Sequence, residues 1–276
     1  FKSGIKMPSV HSRRYKVAIV RDEGSNGDAE MAGAFRHAGF EAYDVCTADI
    51  LNGSFTSFKD FRGAAFVGGF SRADVFGSAR GWAAIIRHNS RANDLFTALH
   101  DRDDSFMLGV CNGCQLLTQL GWIPKRGIQT IVPPYLTHNL SQRYEYRHVG
   151  VRVEDNSIFT ERMGGSVLPI TVAHGEGRWV FDPESLAFVE RENLVSMRFV
   201  NPSRTPTEMY PFNPNGSPNG ITAVSSVNRR ILAMMPHGER LYLKEQWPHW
   251  PKHWDHLSES PWLMLFRNAY NFCVQY

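Results

Sequence analysis

The sequence predicts an α/β fold in which a doubly wound, mostly parallel sheet carries a small antiparallel subsheet. In the first half of the chain, short apolar runs at 16–20, 63–67 and 106–110 alternate with segments of helical periodicity. This alternation is typical of buried parallel strands joined by helices. After Gly121 the pattern changes to short alternating strands, which indicates antiparallel pairing.

The first elements form a β-α-β unit. KVAIV at 16–20 predicts the first strand, 29–38 predicts a helix that ends at Gly39, and 41–46 predicts the second strand. Such units are connected in one hand only, which implies a parallel, doubly wound sheet. Residues 1–15 are basic and aperiodic, so we expect a linker or tail before a domain at 16–276.

Composition excludes several classes of protein. Hydrophobic residues make up 42% and charged residues 21%, as in ordinary globular proteins. The net charge of +3 is too small to indicate a nucleic-acid or membrane partner. No apolar run approaches the about 18 residues of a membrane span. Four cysteines without a pairing pattern predict a reducing, cytoplasmic compartment. The chain begins with Phe, so we expect a piece of a longer polypeptide.

The stretch SFMLGVCNGCQLLTQLG at 105–121 has the order strand, cysteine, helix. An uncharged run at 106–110 is followed by a tight corner at 111–113, and leucines at helical spacing follow from Cys114. This order is typical of a nucleophile elbow, in which a sharp turn presents one side chain above the sheet. The Cys111 thiol would then lie at a helix N-terminus, where N–H groups favour the thiolate.

Two other interpretations of Cys111 remain open. A cysteine beside a strand is commonly a small buried apolar residue. Cys111 and Cys114 also have the C-x-x-C spacing of a redox or zinc pair. A zinc site usually needs two further ligands at characteristic spacing, and none follows here, so we expect no metal in this domain.

Two further motifs follow predicted strands. Gly68-Gly69-Phe70-Ser71 ends the strand at 63–67, where main-chain N–H groups could face a developing oxyanion. Pro236-His237-Gly238-Glu239 ends the strand at 230–235, where the acid could orient the imidazole. The glycine-containing loop at 21–28 lacks the spacing of a phosphate-binding loop. Together with Cys111, these motifs suit acyl transfer through a thioester.

The second half of the chain supplies the antiparallel strands. Segments 147–153, 167–172 and 179–181 predict a subsheet that covers one side of the site. The polar segments 139–145 and 174–178 between them are interpreted either as solvated loops or as part of a pocket.

The last third combines strands, a long loop and a helix. Strands are predicted at 194–200, 220–224 and 230–235, and a helix at 262–273, with a Pro-, Asn- and Gly-rich loop at 201–219. Before the helix, aromatic packing is a better interpretation than a metal site, because prolines prevent a helix that would align the histidines. The residues concerned are Trp247, Trp250, Trp254, His249, His253 and His256.

On these motifs the chain resembles the class I (triad-type) glutamine amidotransferases, which have a flavodoxin-like fold. More closely, it resembles the C-terminal glutaminase domains of large-type phosphoribosylformylglycinamidine synthases. The matching stretches are RDEGSNGDAEMAGAFRHAGFEAYDV (21–45), GGFSRADVFGSARGWAAIIRHN (68–89), FMLGVCNGCQLLTQLGWIP (106–124), HGEGR (174–178), NPNGSPNGI (213–221) and MMPHGER (234–240).

The resemblance implies a role for individual residues. It makes Cys111 the nucleophile, His237 the general base and acid, and Glu239 the partner that orients His237. It also implies an oxyanion hole and a glutamine pocket. The oxyanion hole would be formed by Gly69, Phe70 and Asn112, and the glutamine-binding residues would be Gly68, Gln115, Asn139, Ser141 and Arg143. Segment 174–178 would line the pocket or face the synthase.

The implied reaction is hydrolysis of L-glutamine to glutamate and ammonia, which a synthase domain uses to make formylglycinamidine ribonucleotide. That synthase would lie in the same polypeptide or on a separate chain, and it would require ATP and magnesium. No cofactor is expected in this domain. The family usually has Pro where this chain has Gly238, which would leave the His237–Glu239 geometry less rigid.

Two alternatives to this function remain. The chain could be another cysteine hydrolase on the same fold, because a fold does not determine a reaction. It could also be a catalytically silent glutaminase-like domain that serves in docking or regulation.

Overall fold

A nine-stranded sheet runs through the protein. The structure is a computed structural model, and it describes residues 14–128 and 131–276. Most of the predicted tail at 1–15 lies outside the described residues. The strands are β1 (Lys16–Arg21), β2 (Glu41–Cys46), β3 (Phe61–Phe66), β4 (Phe106–Val110), β5 (Tyr135–Thr137), β6 (Glu145–Val153), β7 (Val167–His174), β8 (Arg178–Val180), β9 (Val195–Phe199), β10 (Ile221–Ser225) and β11 (Ile231–Met234).

The helices connect and cover these strands. None of those in the described part of the chain is long and apolar enough to cross a membrane. The helices are α1 (Asp28–His37), α2 (Thr47–Asn52), α3 (Arg80–His88), α4 (Ser90–His100), α5 (Asn112–Gln119), α6 (Pro183–Arg191) and α7 (Leu263–Gln275).

The sheet has the strand order β2-β1-β3-β4-β11-β10-β9-β6-β7. From β2 to β11 neighbouring strands are parallel, and from β11 to β7 they are antiparallel. A separate two-stranded antiparallel sheet is formed by β5 and β8. The predicted fold class is therefore confirmed. The structure adds that the strands predicted at 147–153 and 167–172 continue the main sheet rather than cover it, and that only the strand predicted at 179–181 lies in the separate sheet.

Helices cover both faces of the parallel strands. Phe106 of β4 stacks on Phe35 of α1, which in turn packs edge-on against Phe266 of α7. β3 and β4 pair with Gly63 beside Phe106, so these two positions share a face of the sheet. Phe66 is three residues after Gly63 and therefore lies on the opposite face, where it packs against Trp82 of α3. A doubly wound sheet of this kind places the carboxyl ends of β3, β4 and β11 at one edge, where such proteins bind ligands.

Some elements differ from the prediction. Helices α2 and α6 and strand β5 were not predicted, and α5 begins at Asn112 rather than Cys114. The signal for α6 is readable in the sequence, since Asp182 caps its N-terminus and Pro183 occupies the first helical position. In the segment before α7, Trp247, Trp250 and Trp254 pack edge-on against one another with ring centroids 5.4–5.6 Å apart, which confirms the predicted aromatic packing.

Replacement of Phe106 tests the core that supports the site. Phe106 is fully buried and contacts Phe35, Phe40 and Phe159. We expect Phe106→Ala to lower the free energy of unfolding by about 3–5 kcal/mol, because it leaves a cavity between sheet and helix. The exposed Val75 is the control, since Val75→Ala should change stability by no more than about 0.5 kcal/mol. Urea titration followed by circular dichroism measures both, and equal midpoints would contradict this view of the core.

Candidate active site

Cys111 lies at a sharp turn between β4 and α5. Its backbone has φ +54° and ψ −108°, which is rare for a residue with a side chain. Its N–H donates to the carbonyl of Met234 in β11 (2.9 Å). A Cβ on Gly113 would lie 2.0 Å from the carbonyl oxygen of Phe66, and one on Gly109 would lie 2.5 Å from that of Gly113. Glycine is therefore needed at both positions for the strand and helix to approach so closely.

His237 and Glu239 follow β11, the strand next to β4. Nδ1 of His237 lies 2.6 Å from Oε1 of Glu239, and both side chains are buried. The main-chain N–H of His237 donates to the carbonyl of Thr171 in β7 (2.8 Å), which fixes the backbone of the pair. Nε2 of His237 is left for the thiol, since it has no other partner within the described residues.

Gly68 lies against both groups. A Cβ at this position would be 3.0 Å from Cε1 of His237 and 3.4 Å from Cβ of Cys111. The predicted residues Cys111, His237 and Glu239 thus converge beside the turn that follows β3. Their roles stay predictions, but their arrangement is that of a nucleophile, a base and an orienting acid.

The electrostatics favour a thiolate beside an imidazolium. Burial raises the pKa of the Cys111 thiol, but its interactions with the neighbouring imidazoles of His174 and His237 outweigh burial and lower this pKa to about 6. Burial lowers the pKa of His237, but the charge of Glu239 and the interaction with Cys111 raise it to about 9. Between these values the proton resides on His237 and the sulfur is ready to attack.

Gly238, between His237 and Glu239, begins a short 3-10 turn and is buried. A Cβ there would lie 3.0 Å from Cδ1 of Leu265, so the residue is closely packed. The short contact between His237 and Glu239 therefore forms without a proline at this position.

The predicted oxyanion hole needs one correction. The N–H of Phe70 donates to the carbonyl of Gly24 (2.9 Å), because the loop after β1 packs against the Gly68-Gly69 turn. Phe70 therefore cannot offer this donor to a substrate. The N–H groups of Gly69 and Asn112 have no acceptor in the described part of the chain. Asn112 also holds the turn, since its Oδ1 accepts from the N–H of Ser71 (3.2 Å).

The predicted glutamine-binding residues differ in their surroundings. Gln115 is buried, and its amide donates to the carbonyl of Glu176 (2.8 Å) and accepts from Asn112 (2.9 Å). Asn139 is fully buried, and its amide donates to the carbonyls of Arg143 and His174 and accepts from the N–H of Gly177. These contacts support a structural role for Asn139 in the loop rather than direct contact with a substrate.

Ser141 and Arg143 lie in the loop after β5 and are more accessible. Ser141 is half-buried and its Oγ accepts from the N–H of Arg143 (3.4 Å), whose side chain is exposed. Both therefore stay predictions as glutamine-binding residues.

Two residues near the thiol were not individually predicted. His174, at the end of β7, has its side chain beside Cys111. Asn215, in the loop before β10, contacts Nε2 of His174 (2.6 Å). In the sequence, His174 belongs to segment 174–178 and lies two residues after the strand predicted at 167–172, a position that could have indicated it. No local signal in the sequence links Asn215 to it.

The remaining cysteines lie in different surroundings. Burial raises the pKa of Cys114 far above that of an ordinary thiol and that of Cys273 to about 12, so both are poor nucleophiles. Cys46 is partly exposed, beside Arg21. Within residues 14–128 and 131–276 no group of three or more His, Cys, Asp or Glu side chains is arranged to hold a metal ion.

Comparison with known proteins identifies relatives over nearly the whole chain. The chain is 45% identical over 265 residues to phosphoribosylformylglycinamidine synthase of Dictyostelium discoideum, a match that covers 94% of this chain and 20% of the relative. It is 46% identical over 273 residues to the human enzyme of the same name, with the same coverage. The chain thus spans about one fifth of the length of these curated relatives.

A solved structure and a family model agree with the fold described above. A chain in the structure of PurLQS from Thermotoga maritima superposes with a TM-score of 0.68 at 20% identity, over 96% of this chain and 99% of that one. The model of the CobB/CobQ-like glutamine amidotransferase domain matches residues 14–273. The chain therefore belongs to the CobB/CobQ-like glutamine amidotransferase family.

Proposed function

We propose that residues 16–276 form a glutaminase domain that hydrolyses the side-chain amide of L-glutamine through a thioester on Cys111. The observation that carries this proposal is the convergence of three buried groups: Cys111 on its strained turn, and the His237–Glu239 pair with a contact of 2.6 Å. This combination supplies an activated sulfur and a proton carrier at one edge of the sheet.

The first half of the reaction uses both members of the ion pair. The thiolate of Cys111 attacks the amide carbon, and the carbonyl becomes an oxyanion that the N–H groups of Gly69 and Asn112 stabilise. Nε2–H of His237 donates its proton to the departing nitrogen, which leaves as ammonia. A glutamyl thioester remains on Cys111.

The second half restores the enzyme. His237, now neutral, removes a proton from a water molecule as the water attacks the thioester carbon. The carbon–sulfur bond breaks, glutamate is released, and the thiolate again faces a protonated imidazole. Glu239 stabilises that positive charge, and the turn after β11 holds the Glu239 carboxylate beside the imidazole ring of His237.

We further propose that the ammonia is used by a synthase that makes formylglycinamidine ribonucleotide in purine biosynthesis. The names of the curated relatives support this, as does the fact that they are about five times as long as the present chain. The synthase would lie in the same polypeptide or on a second chain in the cytoplasm, and it would bind ATP and magnesium there. The glutaminase chemistry described here requires no cofactor.

An electrophilic glutamine analogue tests the glutaminase function. We expect intact-mass analysis to show one adduct on the wild-type chain, none on Cys111→Ala, and protection by excess L-glutamine. The test should be made with and without the synthase partner, because a partner can order a site. An adduct that L-glutamine does not block, or one shared among Cys46, Cys114 and Cys273, would contradict the proposal.

The thiol titration tests the ion pair. We expect the rate of Cys111 alkylation by iodoacetamide to rise with pH with a midpoint well below the value of about 8.5 for an ordinary thiol, because protonated His237 stabilises the thiolate. In Glu239→Gln the charge that holds the proton on His237 is lost, so the midpoint should move to higher pH. An ordinary midpoint in the wild type, or no movement in the variant, would show that the pair does not activate Cys111.

Gly68 tests the spacing of the site. A Cβ in Gly68→Ala would press on the ring of His237, and we expect kcat/KM for glutamine to fall about 100-fold, since displacements near 1 Å cost that much. Gly81→Ala, in α3, is the matched control, because its Cβ would meet ordinary contacts at 3.5 Å. Steady-state glutamate release measures both variants. Equal activity in the two variants would mean that Gly68 does not set the position of His237.

A further inference from the structure

His174 presents a second imidazole to the Cys111 thiol, and the mechanism above does not use it. Its side chain is 3% exposed, and the carbonyl of the preceding residue, Ala173, lies 3.7 Å from Sγ of Cys111. Nδ1 of His174 has no hydrogen-bond partner within the described residues. A buried ring nitrogen without a partner costs free energy, so its retention beside the reacting sulfur suggests a ligand that completes it.

The hydrogen bonds of Asn215 fix which nitrogen of His174 carries the hydrogen. Nδ2 of Asn215 lies 2.8 Å from the carbonyl oxygen of Gly177, and this contact requires the NH2 group of the amide. Oδ1 therefore faces Nε2 of His174 at 2.6 Å, so Nε2 must be the donor. In the neutral ring, Nδ1 then bears the lone pair, and it is the ring nitrogen that remains for the interaction with Cys111.

The two imidazoles at the sulfur are supported differently. His237 has the carboxylate of Glu239 behind it, which stabilises a positive charge. His174 has the neutral amide of Asn215 behind it, which supplies no negative charge beside the ring. The carboxylate therefore makes His237 the donor to the sulfur, whereas His174 in its neutral form offers an acceptor at Nδ1.

The position of His174 is tightly held. A Cβ on Gly177 would lie 2.3 Å from the His174 ring and 2.9 Å from Nδ2 of Asn215, so the main chain packs directly against both. The amide of Asn139 donates to the carbonyl of His174 (2.8 Å). The acceptor at Nδ1 is thus fixed before any substrate arrives, as specificity requires.

We propose that Nδ1 of His174 accepts a hydrogen bond from the NH2 group of the substrate carboxamide and so selects an amide over a carboxylate at Cys111. This inference rests on the proposed glutaminase function. With the carbonyl oxygen directed to Gly69 and Asn112, the NH2 group is the part of the amide that still needs an acceptor. Glutamate has only oxygen acceptors there, so the lone pair of Nδ1 repels it and favours release of the product.

The exchange of Asn215 for aspartate tests this assignment. Asn215→Asp places a carboxylate behind His174, favours its protonated form and converts Nδ1 from an acceptor to a donor. We expect the rate ratio of iodoacetamide to iodoacetate alkylation at Cys111 to fall about 10-fold or more, because a hydrogen bond is exchanged for a repulsion. Inhibition by glutamate should strengthen in the same variant.

Asn213→Asp is the matched control. Asn213 lies in the same loop and is equally buried, but its amide bonds to the carbonyls of Thr207 and Ser217 and not to His174. His174→Leu is the second variant, because it removes the acceptor without adding a charge. We expect the alkylation ratio to stay at the wild-type value in Asn213→Asp and to fall toward that of free cysteine in His174→Leu.

The thiol titration separates this role from a purely electrostatic one. We expect the pH midpoint of Cys111 alkylation to rise much less in His174→Leu than in His237→Leu, because only His237 has a carboxylate that holds its proton. An equal rise in both would show that His174 donates to the thiolate, and the proposal would be wrong. Unchanged alkylation ratios in both Asn215→Asp and His174→Leu would also overturn it. Because alkylation needs no glutamine, failure of the glutaminase function would appear separately, in the test with the glutamine analogue.

Discussion

The reversal of the chain at Cys111 is the constraint on which the rest of the site depends. A residue with a side chain in such a conformation costs about 1–3 kcal/mol, and the surrounding structure must supply that free energy. It does so through the close approach of β4 and α5 at Gly109 and Gly113, and through the hydrogen bond from Cys111 to β11. The same hydrogen bond sets the register between the strand that carries the nucleophile and the strand that carries His237. The turn is thus connected to the triad through the parallel sheet itself.

Burial determines the chemistry of these groups. Removing charged groups from water costs on the order of several kcal/mol per ion, and a pair recovers this only with close contacts. The Cys111, His237 and Glu239 side chains are nearly or fully buried, so each charge depends on its neighbour. The result is an ion pair in which the Cys111 thiolate can attack and His237 already holds the proton for the leaving nitrogen. His174 lies beside the same sulfur, but it has the neutral amide of Asn215 behind it rather than a carboxylate.

Much of this architecture could be predicted from the sequence. The uncharged runs before Gly68, Cys111 and His237 identify buried parallel strands, and residues that follow such strands meet at one edge of the sheet. The continuation of the sheet into β10, β9, β6 and β7 could not be predicted, because periodicity identifies strands but not their neighbours. The hydrogen bond of Phe70 could not be predicted for a related reason: its N–H donates to the carbonyl of Gly24, and this long-range contact leaves no local pattern in the sequence. His174 and Asn215 are 41 residues apart, and only the fold brings them together.

The central claim is that Cys111 carries the substrate as a thioester. The most direct measurement is the intact mass of the chain, quenched in acid during turnover of L-glutamine, followed by peptide mapping of the labelled residue. The account predicts a single glutamyl group on Cys111, which disappears as glutamine is exhausted. Release of glutamate without any covalent intermediate, or a glutamyl group on another residue, would contradict it.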